Sequence, residues 1–198
     1  ADKNIKKEVY NEGIYVGYRY FDTFRKKALF PFGYGLSYTE FRLGAAEAEA
    51  NGAQITVRTA VENVGALAGR QVVQVYLSKP AGKLDVPRQE LCAFAKTRTL
   101  APGEAETVSC TFTLPEMAAY DAETAAFILE AGDYLVRVGV SSAENAPAAV
   151  LHLEDGHDPA GKKCAGQCGF HRPYRPCRRD GAPGGCAGHR NRPGLDRL

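Results

Sequence analysis

The sequence predicts an all-β fold, a seven-stranded antiparallel sandwich, and three observations carry that prediction. Between Phe41 and Leu153 short runs of alternating apolar and polar residues recur, which is the period of strands with one buried face. Turn-forming residues separate those runs at short intervals, as they do in sandwiches and not in helical bundles. The composition changes on both sides of this block, so three regions are expected: residues 1–40, the sandwich at 41–154, and a tail at 155–198.

Residues 1–11 are polar with isolated apolar positions and read as a connecting segment. From Glu12 to Phe41 ten aromatic residues crowd into thirty positions around four glycines. Ile14, Val16 and Tyr18 alternate with Tyr15, Gly17 and Arg19, which predicts a strand. Pro31 stops what precedes it, and Gly33 and Gly35 allow a sharp turn or a close backbone approach. Phe30, Phe32, Tyr34, Tyr38 and Phe41 can be read in two ways. They staple this segment to a neighbouring domain, or they stack on apolar sugar faces; burial at a domain junction is the commoner use of such rings.

In the sandwich, Ile55, Val57, Thr59 and Val61 share one face, with Thr56, Arg58 and Glu62 opposite. Val73, Val75 and Leu77 repeat the pattern, with Gln74 and Tyr76 on the other side, and Lys79-Pro80 stops that strand. Leu91 to Leu100 is expected to pair with Thr107 to Leu114 across the Ala101-Pro102-Gly103-Glu104 turn. A last hairpin is expected between Phe127–Glu130 and Tyr134–Val140. In the first of these pairings Cys92 and Cys110 are offset by three residues, too far for a disulfide at the ~3.3 Å rise of a strand. Both read as free thiols, with Cys110 in the core.

Two sets of residues resemble a known family. The runs Tyr18-Arg19-Tyr20-Phe21-Asp22, Phe30-Pro31-Phe32-Gly33-Tyr34-Gly35 and Leu36-Ser37-Tyr38-Thr39 resemble the end of the second catalytic domain of glycoside hydrolase family 3, the β-glucosidases and β-xylosidases. The runs Gly69 to Ser78, Pro87-Arg88-Gln89-Glu90-Leu91, Leu100 to Glu104, Ala119-Tyr120-Asp121 and Ala131-Gly132-Asp133-Tyr134 with Val138-Gly139 resemble the fibronectin type III-like domain of the same enzymes. The resemblance covers about residues 9–153. It implies an immunoglobulin/fibronectin type III-like sandwich at 41–154, preceded at 1–40 by a remnant of the α/β sandwich domain. Such a remnant leaves residues 1–30 sticky when no sheet receives them.

What the resemblance implies about chemistry is largely negative. A retaining glycosidase needs two carboxylates about 5 Å apart, and the family places its aspartate and glutamate in segments absent from this chain. At 198 residues the chain is too short for such an enzyme and opens on Ala1, so a C-terminal piece of a longer protein is expected. Glu12 and Asp22 are roughly 33 Å apart on an extended strand, and Asp22 reads as a local partner of Arg19 or Arg25. Ser37 lacks the flanking glycines of a nucleophile elbow, and His152 is the only histidine before the tail. No catalytic, cofactor-binding or metal-binding residue is therefore expected. The expected partners are the remaining catalytic domains of a parent glycosidase, and through them its oligosaccharide substrate. A free-standing carbohydrate- or protein-binding module is the alternative, with the Lys79–Arg88 loop as its candidate surface.

Charge and composition exclude other classes. The net charge of +2 arises in residues 155–198, which hold nine Lys and Arg against four Asp and Glu, so no basic face for nucleic acid is expected on the sandwich. No apolar run approaches membrane-spanning length. Gly, Pro, Arg and Ala supply 25 of the 44 tail residues, which predicts disorder. An altered reading frame is one origin of such GC-rich codon usage. Cys164, Cys168, Cys177 and Cys186 with His157, His171 and His189 lack the tight ligand pairs of zinc sites. The compartment stays open, with the free thiols favouring a reducing, cytoplasmic one.

Overall fold

The computed structural model describes residue 11, residues 13–156 and the backbone of residues 169–170. A short helix, α1 (Tyr18–Thr23), is followed by the strands β1 (Phe41–Asn51), β2 (Gln54–Asn63), β3 (Val72–Ser78), β4 (Glu90–Lys96) and β5 (Ala105–Thr113). A 3₁₀ turn at Leu114–Met117 leads into β6 (Ala119–Asp121), β7 (Ala126–Ile128), β8 (Gly132–Gly139) and β9 (Asn145–Leu153), and β10 (Gly169–Phe170) adds a two-residue edge. One sheet has the order β1-β2-β5, the other β10-β9-β8-β3-β4, and β6-β7 form a separate ribbon. All pairings are antiparallel. Apart from the two-residue β10, the two large sheets contain seven strands, as the alternation of the sequence predicts.

The inner faces follow that alternation. Ile55, Val57 and Val61 of β2 and Val108, Cys110 and Phe112 of β5 form one wall of the core. Val73, Val75 and Leu77 of β3, Tyr134, Val136 and Val138 of β8, and Leu151 and Leu153 of β9 form the other. Such burial stabilises by ~1.5–3 kcal/mol per large apolar side chain, before the entropy of ordering the chain is set against it. In β1 the inward positions change parity, from Phe41 and Leu43 to Ala46, Ala48 and Ala50, because a bulge falls between Leu43 and Ala46. An extra residue there keeps both halves of an edge strand facing the core. Its outer face carries charge, paired as Arg42–Glu62 and Arg58–Glu49.

Two expected pairings are corrected. The residues before and after the Ala101–Glu104 turn do not form a hairpin: β4 pairs with β3, and β5 pairs with β2 in the opposite sheet. The chain crosses between sheets here because Gly69 and Leu100 bridge, and because the Gly103 N–H donates to the Asn63 carbonyl while the Asn63 N–H donates to the Glu104 carbonyl. Likewise Phe127 lies in the β6-β7 ribbon, while β8 pairs with β9 and β3. Cys92 and Cys110 are free, as expected, but they lie in different sheets.

A third correction concerns the aromatic segment. Tyr18 begins a helix, not a strand continuing from Ile14 and Val16. Gly17 stands at φ 60° immediately before it, a left-handed conformation that interrupts extended backbone. Ile14 and Val16 are exposed, so no sheet receives them. The tail expectation lies outside the described residues except at 155–156, which are exposed, and at 169–170, whose backbone pairs with β9.

Candidate functional site

Segment 13–40 lies across β3, the entry to β4 and the β8–β9 turn, and α1 is its anchor. Residues 18, 19, 22 and 23 share one face of the helix by the i, i+4 rule. Each meets a successive residue at the start of β4. The Leu91 N–H donates to Tyr18 Oη at 2.9 Å, and Arg19 pairs with Glu90 at 3.1 Å. Gln89 Nε2 donates to Asp22 Oδ2 at 2.8 Å, and the Arg88 N–H donates to Thr23 Oγ1 at 2.9 Å. The helix and the strand thus run antiparallel, joined rung by rung. Asp22 was expected to pair with Arg19 or Arg25, and it pairs with Gln89 because Arg19 is taken by Glu90. Lys79 lies 2.5 Å from the other oxygen of Glu90, so this mostly buried carboxylate is held between two cations.

Beneath α1, Tyr18 stacks on Phe32 at 4.6 Å and meets the edge of Tyr76 at 6.1 Å. Tyr76 is fully buried, and burial, followed by the proximity of Tyr18 and Asp22, pushes its phenol well above the usual tyrosine range. Its hydroxyl donates to Gln74 Oε1 at 2.5 Å, and Gln74 Nε2 donates to the Val140 carbonyl at 2.8 Å. Gly33, at φ 83°, lies so close over Gln74 that a Cβ would stand 2.2 Å from its amide nitrogen. The Ser142 N–H donates to the Phe32 carbonyl at 2.8 Å. Central strand β3 is therefore covered on both faces, by the core on one side and by segment 13–40 on the other. Thr39 closes the segment by donating from Oγ1 to Asn63 Oδ1 at 2.8 Å.

Of the five aromatics singled out by sequence, Phe32 packs on the sandwich and Phe41 packs against its core. The others turn outward. Phe30 and Tyr34 meet at a tilt, with ring centroids 5.2 Å apart, while remaining 65% and 50% exposed, and Tyr38 is 96% exposed. Tyr20, Phe21, Phe24, Leu29 and Leu36 continue this outward surface. Sequence reasoning missed the anchoring set, Tyr18, Arg19, Asp22 and Thr23 with Arg88 to Leu91; its signal was hydrogen-bonding side chains at helical spacing.

Two hollows flank the segment. A 460 Å³ cleft lies between the Gly33–Ser37 turn and the β3–β4 edge, with Tyr34, Phe41, Arg70, Lys96 and Glu144 among its walls. A 280 Å³ pocket lies between α1 and the β8–β9 turn. Among the described residues, Glu144 is the one carboxylate lining the first and Asp22 the one lining the second. Ser37 Oγ accepts a bond from the Thr39 N–H, and His152 faces Asp133 at 2.7 Å on the edge of the second sheet. The Lys79–Arg88 loop is tied down, with the Glu130 carboxylate accepting from the Lys83 and Leu84 N–H groups and Lys83 paired with Glu123. Glu12 and the tail cysteines and histidines lie outside the described residues. Among the described residues no group of three or more His, Cys, Asp and Glu is placed to hold a metal, and no helix is long and apolar enough to cross a membrane.

A sandwich of this strand order, bearing an anchored segment with outward aromatics, defines a fibronectin type III-like domain with an attached N-terminal segment. The family model of the fibronectin type III-like domain matches residues 71–142. A β-glucosidase of Ruminococcus albus is 43% identical over 148 residues, covering 70% of this chain and 16% of that protein. β-Glucosidase A of Butyrivibrio fibrisolvens is 42% identical over 154 residues, covering 67% and 19%. The structure of β-glucosidase 3B from Thermotoga neapolitana in complex with α-D-glucose superposes with a TM-score of 0.73 at 42% identity, covering 78% of this chain and 22% of that one. The chain belongs to the β-glucosidase-like proteins of glycoside hydrolase family 3, as the portion that carries their fibronectin type III-like domain. It spans about a sixth to a fifth of the length of those curated relatives.

Proposed function

We propose that this chain is a non-catalytic structural domain of a β-glucosidase-like hydrolase, and that it braces the catalytic domains of that enzyme. Residues 13–40 are then the last part of the neighbouring domain and 41–154 the brace itself. The observation that carries this reading is the two-sided nature of segment 13–40. Its inner side is bonded to the sandwich through Tyr18, Asp22, Phe32 and Thr39, while its outer side presents Phe30, Tyr34, Leu36 and Tyr38 to solvent. Apolar patches rimmed by polar residues mark interaction surfaces. Hydrolysis of a glycosidic bond, and any contact with an oligosaccharide, belongs in this reading to the parent enzyme.

The test is complementation. The Ruminococcus albus enzyme, shortened to remove its matching region, is mixed with this chain, and activity on p-nitrophenyl β-D-glucoside is followed together with co-elution in gel filtration. Co-elution with recovery of activity is expected, and the chain alone is expected to be inactive. Turnover by the chain alone, or retention on insoluble glucan without association, would replace the bracing role with an enzyme or a binding module.

A further inference from the structure

The pocket between α1 and the β8–β9 turn carries a charge pattern that the bracing role leaves unused. Arg25, Lys26, Lys27, Arg88 and Arg137 line its 280 Å³, against the single carboxylate of Asp22. Asp22 is already engaged by Gln89. The side chains of Arg25, Lys26, Lys27 and Arg88 form no ion pair among the described residues, although elsewhere on the molecule Arg42, Arg58, Lys83 and Arg98 all do. Four like charges that form no ion pair repel one another and raise the affinity of the site for an anion.

The wall of the pocket is built from fixed groups. Arg137 Nε donates to Asn145 Oδ1 at 2.6 Å, and Asn145 Nδ2 is itself bound to the Ser141 and Ser142 carbonyls at 3.1 and 2.7 Å. This orients the Arg137 guanidinium before any ligand arrives. Gln89, buried, bridges Asp22 and the Ser142 carbonyl with one amide nitrogen. Ser142 is 5% exposed and also lines the pocket, and its hydroxyl is buried with no hydrogen-bond partner among the described residues. A buried hydroxyl without a partner is destabilising, and an acceptor relieves it.

We infer that this pocket is an oxyanion site, taking a phosphate group that is either free or carried on a small molecule such as a sugar phosphate. Arginine and lysine supply charge-assisted donors to the phosphate oxygens, and Ser142 supplies a neutral one. The volume accommodates a group larger than the phosphate itself. Phe21 borders both this pocket and the outward aromatic surface, but the cations and Ser142 lie outside that surface, so the inference does not rest on the bracing role.

The test is a titration of the full chain by isothermal calorimetry and by backbone NMR, at constant ionic strength set with sodium chloride. Inorganic phosphate, glucose 6-phosphate and glucose are compared. Saturable binding of phosphate is expected, with shifts at residues 25–27, 88 and 142. Tighter binding of glucose 6-phosphate assigns a carried phosphate, and equal binding assigns the free ion. Lys27→Ala and Arg88→Ala, both at exposed positions that leave the core intact, should each weaken binding about tenfold, the loss of one charge-assisted bond. Ser142→Ala should weaken it a few-fold while the near-ultraviolet spectrum stays unchanged. A response no larger than that to chloride, or binding equal in wild type and both cation variants, overturns the site.

Discussion

At the scale of single residues, Asn63 holds more of the structure than its polarity suggests. It is fully buried at the end of β2, and its amide donates to the Leu67 and Leu100 carbonyls, each at 2.8 Å, while its oxygen accepts from Thr39 Oγ1 and the Gly65 N–H. The side chain joins segment 13–40, the β2–β3 loop and the strand crossing between sheets. Asn63→Ala leaves several buried groups unpaired and is expected to destabilise by about 3 kcal/mol in urea unfolding. The thiols give a pH dependence. Burial pushes Cys92 from 9.0 up to about 12, and it raises Cys110 and Tyr76 as well. Folded thiols stay protonated where unfolded ones ionise. Their contribution is complete below pH ~9 and is lost as pH rises from there towards 12, with a slope of up to about 1.4 kcal/mol per pH unit per group. Cys92→Ala should make the fall between pH 9 and 11 shallower. A thermal-unfolding series across that range checks it.

At the scale of elements, the α1–β4 ladder decides whether segment 13–40 stays seated. Tyr18→Phe removes the acceptor for the Leu91 amide and should cost about 1 kcal/mol, with faster hydrogen exchange at Leu91. Tyr18→Ala also removes the stack on Phe32 and the edge contact to Tyr76, so exchange should quicken at Ser142, whose N–H bonds the Phe32 carbonyl. Exchange at Ile55 and Val136, deep in the core, should change little. The ladder also shows what could be read from sequence. The faces of β2, β3 and β8 were legible because their buried side chains repeat every second residue. Strand partners were not, because alternation fixes a face and says nothing about which neighbour lies alongside. Turn chemistry at Pro102-Gly103 suggested a hairpin, but the backbone groups flanking it pair with Gly69 and Asn63. The helix was hidden because Ile14, Val16 and Tyr18 alternate until Gly17 reverses the backbone.

At the scale of the whole molecule, the outward aromatics set how the chain behaves in solution. Leu29, Leu36 and Tyr38 are 88%, 91% and 96% exposed, and they lie on a segment that the sandwich holds in place. The native chain should therefore bind the dye ANS and associate at high concentration. The triple variant Phe30→Ser, Tyr34→Ser, Leu36→Ser should lose most of that fluorescence while keeping its cooperative unfolding. Undiminished dye binding in the variant would place the apolar surface elsewhere. The fold itself was readable at this scale, since resemblance over residues 9–153 predicted the sandwich; the pocket beside α1 was not, because Arg25, Arg88 and Arg137 are brought together only by tertiary structure.

The sheet order has a consequence for how the chain is made. β3 lies between β4 and β8, and β8 leaves a ribosome well after both of them. Until residues 132–139 emerge, the β3–β4 pair carries Val75 and Leu77 with the β3 edge unpaired. Closure then depends on contacts about sixty residues apart in sequence, between Gln74–Ser78 and Leu135–Gly139. Such pairing folds on the millisecond-to-second scale. During synthesis the open edge is the segment that a holding chaperone would recognise, and a ribosome stalled before residue 132 would present it continuously.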